Sequence, residues 1–245
     1  MLKAIILTLI AGTSTMFGFI LTYLKINKQN EHKLILLTLS ISLIILLYIS
    51  IFDLIPFGFI NLLKNNHNLL LNTILTAILA SCGVGVVEIL DHKKHANNLY
   101  KLGILCMLSI MLHNIPEGII TFISNINNET IGLKITIGIL IHNIPEGILI
   151  ALPIYYSTKS HLKSFIYTFI ASISETLGGL IFYLLFKDII TYQIIYYLMI
   201  IVGGIMIDIS INKILTQCFK IYQSKIFNIG IVVGLIITLL MHIFI

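Results

Sequence analysis

Two copies of one short polar string hold the side chains of this sequence that are best suited to chemistry. The string His-Asn-Ile-Pro-Glu-Gly occurs at 113–118 and again at 142–147. Its histidine and glutamate stand four positions apart, and residues with that spacing lie on one face of a helix, one above the other. Both copies fall near the middle of long apolar runs. The sequence therefore predicts two helices that each present an imidazole and a carboxylate on one face.

Imidazole and carboxylate together form a ligand set for divalent transition metals. The combination suits Zn²⁺ and also Fe²⁺, Mn²⁺ or Co²⁺, whereas Mg²⁺ and Ca²⁺ prefer oxygen ligands alone. The asparagine of each string adds a neutral oxygen, and Glu175 is a third carboxylate deep in an apolar run. Two carboxylates can bridge two ions, so a binuclear centre fits the donor set. The predicted metal ligands are His113, Asn114, Glu117, His142, Asn143, Glu146 and Glu175.

Proline and glycine give the two strings a second property, which concerns the backbone. Pro116 and Pro145 have no amide hydrogen and crowd the carbonyl group four positions back. They therefore free the carbonyls of Leu112 and Ile141 and allow each helix to bend. The glycine after each glutamate lets another backbone approach closely. Because consecutive spans run in opposite directions, the two copies are expected to face each other about a pseudo-two-fold axis in the membrane plane, as in the inverted repeats of transporters.

The composition excludes a soluble globule. The 245 residues are 58% hydrophobic and 10% charged, with a mean hydropathy of +1.04, whereas soluble domains carry roughly 25% charged residues. Lipid must therefore face most of the surface, and no room is left for a separate soluble domain. The net charge is +5, and every basic residue is a lysine. This charge is better explained by membrane topology than by nucleic-acid binding.

Apolar runs separated by polar loops predict eight transmembrane helices in one domain that covers residues 1–245. Each run is long enough to cross the hydrocarbon core, which takes about 20 helical residues, and a helix satisfies its own backbone in lipid. The predicted fold is thus all-α and polytopic. We expect the spans at about 4–24, 34–55, 69–90, 100–124, 131–155, 164–186, 189–211 and 226–245.

The lysines predict how these spans are oriented. Eleven lysines lie in or beside the loops after the first, third, fifth and seventh spans, and four lie on the opposite side. Cytoplasmic loops of membrane proteins carry an excess of positive charge. We therefore expect a multi-pass protein of the plasma or inner membrane with both termini on the extracytoplasmic side.

Several segments together resemble the ZIP (Zrt/Irt-like) family of divalent metal transporters, in particular its bacterial zinc-uptake branch (ZupT-like). They are ILTLIAGTSTMFG in the first span, LYISIFDLIP in the second, HNIPEG in the fourth and fifth, and SETLGG in the sixth. The resemblance covers nearly the whole chain. It implies a 3+2+3 arrangement, in which helices 1–3 and 6–8 form inverted repeats around helices 4 and 5, and it implies a homodimer.

The same resemblance implies roles for the predicted ligands. The two His–Glu pairs would bind one ion, and the two asparagines with Glu175 and the same glutamates would line a second. A helix bundle that carries the ions would move between two openings and import metal into the cytoplasm. Zinc comes first as the substrate, with iron, manganese and cobalt as alternatives. Neither enzymatic activity nor a resident cofactor is expected.

Two segments depart from the family pattern. Close relatives often end the seventh helix in an acidic SVDE-like string, whereas this chain has Ser-Ile-Asn-Lys at 210–213, with Asp208 further up the helix. The loop between the third and fourth helices, often rich in histidine in the family, holds only His92 and His95. These two histidines could hand a metal onward or could simply be solvated.

Two other functions stay open. Zinc beside glutamate in a membrane helix could activate water, as in an intramembrane hydrolase, although the usual HExxH string is absent. A proton or alkali-ion carrier could use the carboxylates as relays, although that function does not require paired imidazoles. The doubled, symmetric ligand set favours a divalent metal carrier over both.

Overall fold

Eight long helices make up the described part of the chain. The computed structural model describes residues 1–91, 99–186 and 191–244, and these ranges contain helices but no strand. His92 and His95 lie outside the described residues. The helices are α1 Leu2–Tyr23, α2 Asn30–Asn66, α3 Leu69–Leu90, α4 Leu99–Asn127, α5 Glu129–Thr158, α6 His161–Phe186, α7 Tyr192–Lys220 and α8 Ser224–Phe244.

These helices have the length and composition of membrane spans. Seven of those in the described ranges are long and apolar enough to cross a bilayer, and the eighth, α8, contains the shorter apolar segment Ser224–Leu240. Large hydrophobic side chains are exposed along their outer faces, as expected where lipid is the solvent. The predicted all-α, multi-pass membrane fold is confirmed.

Two helices extend beyond the apolar runs that predicted them. The runs 34–55 and 189–211 end where proline or polar residues begin, but α2 continues to Asn66 and α7 to Lys220. Each of the two contains a π-helical turn, at Ile49–Leu54 and Ile209–Leu215. In α2 the following proline falls in the first turn of the next α-helical segment, where its missing amide hydrogen costs little.

The helices pack in two groups of four. In one group, α4 packs against α1, α5 and α6; in the other, α2 packs against α8 and α3 against α7. The groups meet where α2 lies on α5 and α4 on α7. Asn128 alone connects α4 to α5 and caps α5 by accepting hydrogen bonds from the amides of Thr130 and Ile131. This short connection makes α4 and α5 an antiparallel pair.

A repeat with a constant offset of 160 residues relates α1 to α6 and α2 to α7. The tripeptide Ile-Ser-Ile at 49–51 recurs at 209–211, and it lies in the π-helical turn both times. The serine of each copy donates a hydrogen bond to the carbonyl four residues back. Ala11 and Ala171 stand in the same register. The repeat supports the predicted arrangement of two inverted halves around α4 and α5.

Two glycines let the central pair touch its neighbours through backbone. A Cβ atom on Gly147 would lie 1.8 Å from the carbonyl oxygen of Thr15 on α1. A Cβ atom on Gly118 would lie 1.9 Å from the carbonyl oxygen of Glu175 on α6. Both glycines follow the glutamate of a repeated string, so the predicted close backbone approach at these positions is confirmed.

We expect Gly147→Ala to destabilise the protein, because α5 must move away from α1 to make room for the methyl group. Overpacking of this kind costs about 1–3 kcal/mol. Gly85→Ala on α3 is the matched control, since its Cβ would meet no atom within 4 Å. Thermal unfolding in detergent, followed by size-exclusion chromatography, should show a lower melting temperature for Gly147→Ala alone. Equal melting temperatures for the two variants would contradict the close approach.

Candidate metal centre

The histidines and glutamates of the two strings pair across the helices. His113 Nε2 lies 2.7 Å from Glu146 Oε1, and His142 Nε2 lies 3.2 Å from Glu117 Oε1. Each imidazole of one helix therefore meets a carboxylate of the other, although the spacing also stacks it above the glutamate of its own helix. The antiparallel course explains this crossing. Glu117 and His142 are the members of their strings nearest to the Asn128 connection, so they lie at a similar depth.

The two crossed pairs form two levels, separated by roughly 6 Å because four helical residues rise by that amount. All four side chains are buried inside the chain. The pair towards Asn128 is slightly more open, with His142 7% and Glu117 3% exposed, whereas His113 and Glu146 are 0% exposed. The centre is therefore more accessible from the side of the α4–α5 connection.

The asparagines bind the helices that flank the central pair. Asn143 Nδ2 donates to the carbonyl oxygen of Ala11 on α1 at 2.9 Å and to Glu175 Oε2 on α6 at 2.7 Å. Asn114 Nδ2 donates to the carbonyl oxygen of Ala171 on α6 at 3.1 Å. Because the amide groups donate to these partners, their oxygen atoms point elsewhere. The asparagines thus join the crossed pairs to Glu175, and the structure brings all seven predicted residues into one buried cluster.

Several buried nitrogen and oxygen atoms of this cluster have no hydrogen-bond partner among the described residues. Leaving a buried polar atom unpaired costs about 1–3 kcal/mol, so five of them in one place call for an electropositive ligand. Cations could bind these atoms after the side chains rearrange. The unpartnered buried atoms are His113 Nδ1, Asn114 Oδ1, Asn143 Oδ1, Glu146 Oε2 and Glu175 Oε1.

In this structure each histidine of the cluster is hydrogen-bonded to one glutamate of the facing helix. Among the described residues, no three histidine, cysteine, aspartate or glutamate side chains converge closely enough to hold one ion between them. The strongest contacts join each imidazole to a single carboxylate. An ion that enters the centre must therefore separate the imidazole from the carboxylate, and each partner then offers it a lone pair.

The other acids near helix ends have different partners. Lys213 Nζ lies 2.8 Å from Asp91 Oδ2 and 3.3 Å from Glu88 Oε1, and Asn212 donates a hydrogen bond to Asp208 Oδ1. Asp53 is half-buried in the π-helical turn of α2. Glu88 and Asp91 thus form an ion-pair cluster with Lys213 where the end of α3 meets α7, and Asp208 is paired instead with Asn212 on its own helix.

Asp91 shows how this ion-pair cluster is balanced. Burial by itself would raise the pKa of its carboxyl group, but hydrogen bonds from Lys101 and Lys213 outweigh burial and leave the pKa below its usual value. Lys101 belongs to α4, so the same carboxylate also joins α3 to the start of α4.

The sequence did not predict two contacts at the centre. Ser42 on α2 donates a hydrogen bond to the carbonyl oxygen of Pro145 at 3.2 Å. Thr15 on α1 lies against Gly147 through its carbonyl. The offset of 160 residues could have revealed Thr15, because Ala-Gly-Thr-Ser-Thr at 11–15 aligns with Ala-Ser-Ile-Ser-Glu at 171–175. No spacing signal pointed to Ser42.

Comparison with known proteins agrees with the chemistry of this cluster. The family model described as ZIP zinc transporter matches residues 89–242. A zinc transporter ZupT of Chlorobium limicola is 32% identical over 95% of this chain and 94% of the relative. The corresponding proteins of Streptococcus mutans and Chlorobium chlorochromatii are 29% and 28% identical, each over 96% of this chain and at least 94% of the relative. The resemblance inferred from the repeated strings is thereby confirmed: this chain belongs to the ZIP zinc transporter family.

Proposed function

We propose that the protein transports divalent transition-metal ions across a membrane, with zinc as the main substrate and iron, manganese and cobalt as alternatives. The observation that supports this most strongly is the pair of crossed His–Glu contacts, buried between two membrane-spanning helices and surrounded by unpartnered oxygens. Buried carboxylates are costly in a membrane and persist at functional sites. The names of the similar proteins favour zinc. An intramembrane hydrolase has no comparable support.

The crossed pairs give a simple scheme for binding. Without metal, each carboxylate is stabilised by the imidazole opposite, which keeps both helices together. A cation takes the place of the hydrogen-bonded proton in one pair and draws ligands from both helices. The first ion would be held by His113, Glu117, His142 and Glu146. The same two glutamates could bridge it to a second ion.

The second ion would use the asparagine oxygens and Glu175. The hydrogen bond from Asn143 fixes one oxygen of Glu175, and the other oxygen remains free to bind. The amide oxygens of Asn114 and Asn143 add neutral ligands. Because Asn143 and Asn114 also donate to backbone carbonyls of α1 and α6, an ion bound here would be attached to all four helices of one packing group. We propose that this group, α1, α4, α5 and α6, moves with the ion.

The distribution of lysine supports one orientation in the membrane, from which we infer the direction of transport. With eleven lysines on one side and four on the other, the positive-inside rule places both termini outside the cytoplasm in the plasma or inner membrane. The more exposed pair, His142 with Glu117, then faces the extracytoplasmic side. We propose that ions enter there and leave to the cytoplasm.

A homodimer is part of the proposal. Only 11% of the most apolar window of α3 is buried inside the chain, and small exposed residues recur on it every four positions at Thr73, Ala77 and Ser81. Such spacing lets membrane helices approach closely. Together with the resemblance to the family, this exposed face of α3 supports pairing of two copies through α3.

Glu117→Gln and Glu146→Gln should each lower zinc uptake into proteoliposomes by at least about tenfold, since disturbing a metal site usually costs 10–100-fold in affinity or activity. Glu129→Gln is the matched control, because this exposed acid pairs with Lys3 at the surface and should leave uptake unchanged. Uptake by both site variants at the rate of the unmodified protein would contradict the proposal.

Zinc binding should release protons and weaken in acid. Both imidazole and carboxylate must be unprotonated to bind metal, and we propose that each crossed pair without metal is an imidazolium with a carboxylate, which loses one proton when metal binds. Calorimetry of the purified protein in two buffers of different ionisation enthalpy should give different apparent binding enthalpies, corresponding to about one proton per pair opened. An enthalpy independent of the buffer would show that no such proton is displaced.

His142→Ala should shift the preference from zinc towards manganese, because it removes a nitrogen ligand and leaves both bridging carboxylates in place. Competition between the two ions for uptake measures the shift. His32→Ala, at an exposed position, is the control and should keep the original preference. The same preference in all three proteins would argue against His142 as a ligand.

A further inference from the structure

The hydroxyl group of Thr15 differs from the other hydroxyls of α1. Thr8, Thr13 and Ser14 donate to carbonyls of their own helix, and Thr22 contacts His161. These are the usual ways in which a helical hydroxyl is satisfied. Thr15 is 0% exposed, yet its Oγ1 has no hydrogen-bond partner in the described chain. A buried hydroxyl that gives up the ordinary bond to its own helix requires another partner.

The backbone places Thr15 beside the proposed metal centre. Its carbonyl oxygen is the atom that approaches Gly147, the residue directly after Glu146. One turn earlier on the same face of α1, a Cβ on Gly12 would lie 3.2 Å from Glu175 Cβ. Thr15 therefore lies where α1 meets α5 and α6, close to the backbone positions of Glu146 and Glu175.

The 160-residue repeat relates Thr15 on α1 to Glu175 on α6. Two pairs of equivalent contacts to α1 and α6 support this correspondence. Asn143 donates to the Ala11 carbonyl as Asn114 donates to that of Ala171. Gly147 lies against the carbonyl of Thr15, which is four positions after Ala11. In the same way, Gly118 lies against the carbonyl of Glu175, which is four positions after Ala171. Thr15 thus stands on α1 at the backbone position equivalent to that of Glu175 on α6.

We propose that the Thr15 hydroxyl is a further ligand group of the metal centre, which offers a neutral oxygen to a divalent cation from α1, opposite the carboxylate of Glu175. This inference rests on the proposed function and adds one residue to it. By the same symmetry the amide group of Asn114 is the neighbour of Thr15, as that of Asn143 is the neighbour of Glu175, and its Oδ1 is also buried and unpartnered. The centre would then have an anionic side on α6 and a neutral side on α1.

The neutral side has a chemical consequence for transport. A hydroxyl oxygen binds a divalent ion more weakly than a carboxylate and adds no charge. An ion that shifts towards Thr15 would be held less tightly than one at Glu175, which favours release from a carrier. The hydroxyl should also matter more for manganese, which prefers oxygen ligands, than for zinc, which accepts nitrogen readily.

The test compares three variants of the full chain in lipid nanodiscs. Thr15→Val has the same shape without the hydroxyl, and Thr15→Ser keeps the hydroxyl. Thr8→Val is the matched control, a buried threonine of the same helix whose hydroxyl bonds to the Ala4 carbonyl. The readouts are the affinities for Mn²⁺ and Zn²⁺ by competition with a chromophoric chelator, the visible spectrum with Co²⁺ bound, and the melting temperature without metal.

We expect Thr15→Val to weaken Mn²⁺ binding by about tenfold, the lower end of what changes around a metal site cause, and to weaken Zn²⁺ binding less. The Co²⁺ spectrum should change, and Thr15→Ser should restore both properties. The melting temperature of metal-free Thr15→Val should rise, because an unsatisfied buried hydroxyl is removed, whereas that of Thr8→Val should not.

A Thr15→Val protein with unchanged affinities and an unchanged Co²⁺ spectrum would overturn the inference, and so would a lower melting temperature with Thr15→Ser failing to restore binding. The proposed function is judged separately by Glu146→Gln. If that variant loses metal binding while Thr15→Val keeps it, only the role of Thr15 is wrong. If the unmodified protein binds none of the three ions, the transport proposal itself fails.

Discussion

Carboxylates buried between membrane-spanning helices need a hydrogen-bonding or positively charged partner, and this requirement determines how the centre of the molecule is arranged. Glu117 and Glu146 find that partner in the imidazole of the facing helix. Such contacts form only if α4 and α5 run antiparallel, stand in register and approach closely. The connection through Asn128 sets the direction and register. Backbone contacts at Gly118 and Gly147 hold the pair against α6 and α1. The metal chemistry that we propose uses the same contacts, since a cation can replace the proton of each pair.

The second organising feature is the repeat around this pair. Equivalent carbonyls on α1 and α6 receive the two asparagine amides, and equivalent π-helical turns interrupt α2 and α7. π-helical turns are often found at functional sites. The halves differ in charge at matching positions: Asp53 on α2 corresponds to Lys213 on α7, and Thr15 to Glu175. A symmetric scaffold thus carries an asymmetric set of charges, which a carrier needs if its two openings are to differ.

Much of the fold and of the metal centre could be predicted from the sequence, because these features depend on hydropathy and on spacing along one helix. The eight apolar runs predicted the helices, and the repeated string predicted the His–Glu faces and the close approach at its glycine. The crossed pairing of His113 with Glu146 was not foreseen, since spacing along a chain describes neighbours on one helix and not contacts between helices. The extension of α2 past its proline depends on a π-helical turn, whose wider hydrogen-bonding pattern leaves no periodic signature. Ser42 bonds to a carbonyl on another helix, which only tertiary packing reveals.

We infer that a transported ion is bound by imidazole and carboxylate groups from both α4 and α5. X-ray absorption spectroscopy at the zinc edge of the purified, zinc-loaded protein tests it most directly. We expect a shell of nitrogen and oxygen neighbours at about 2.0–2.2 Å with the outer-shell scattering of imidazole rings, and a smaller imidazole contribution when His113 or His142 is replaced by alanine. A shell of sulfur at about 2.3 Å, or an oxygen shell without imidazole scattering, would contradict it.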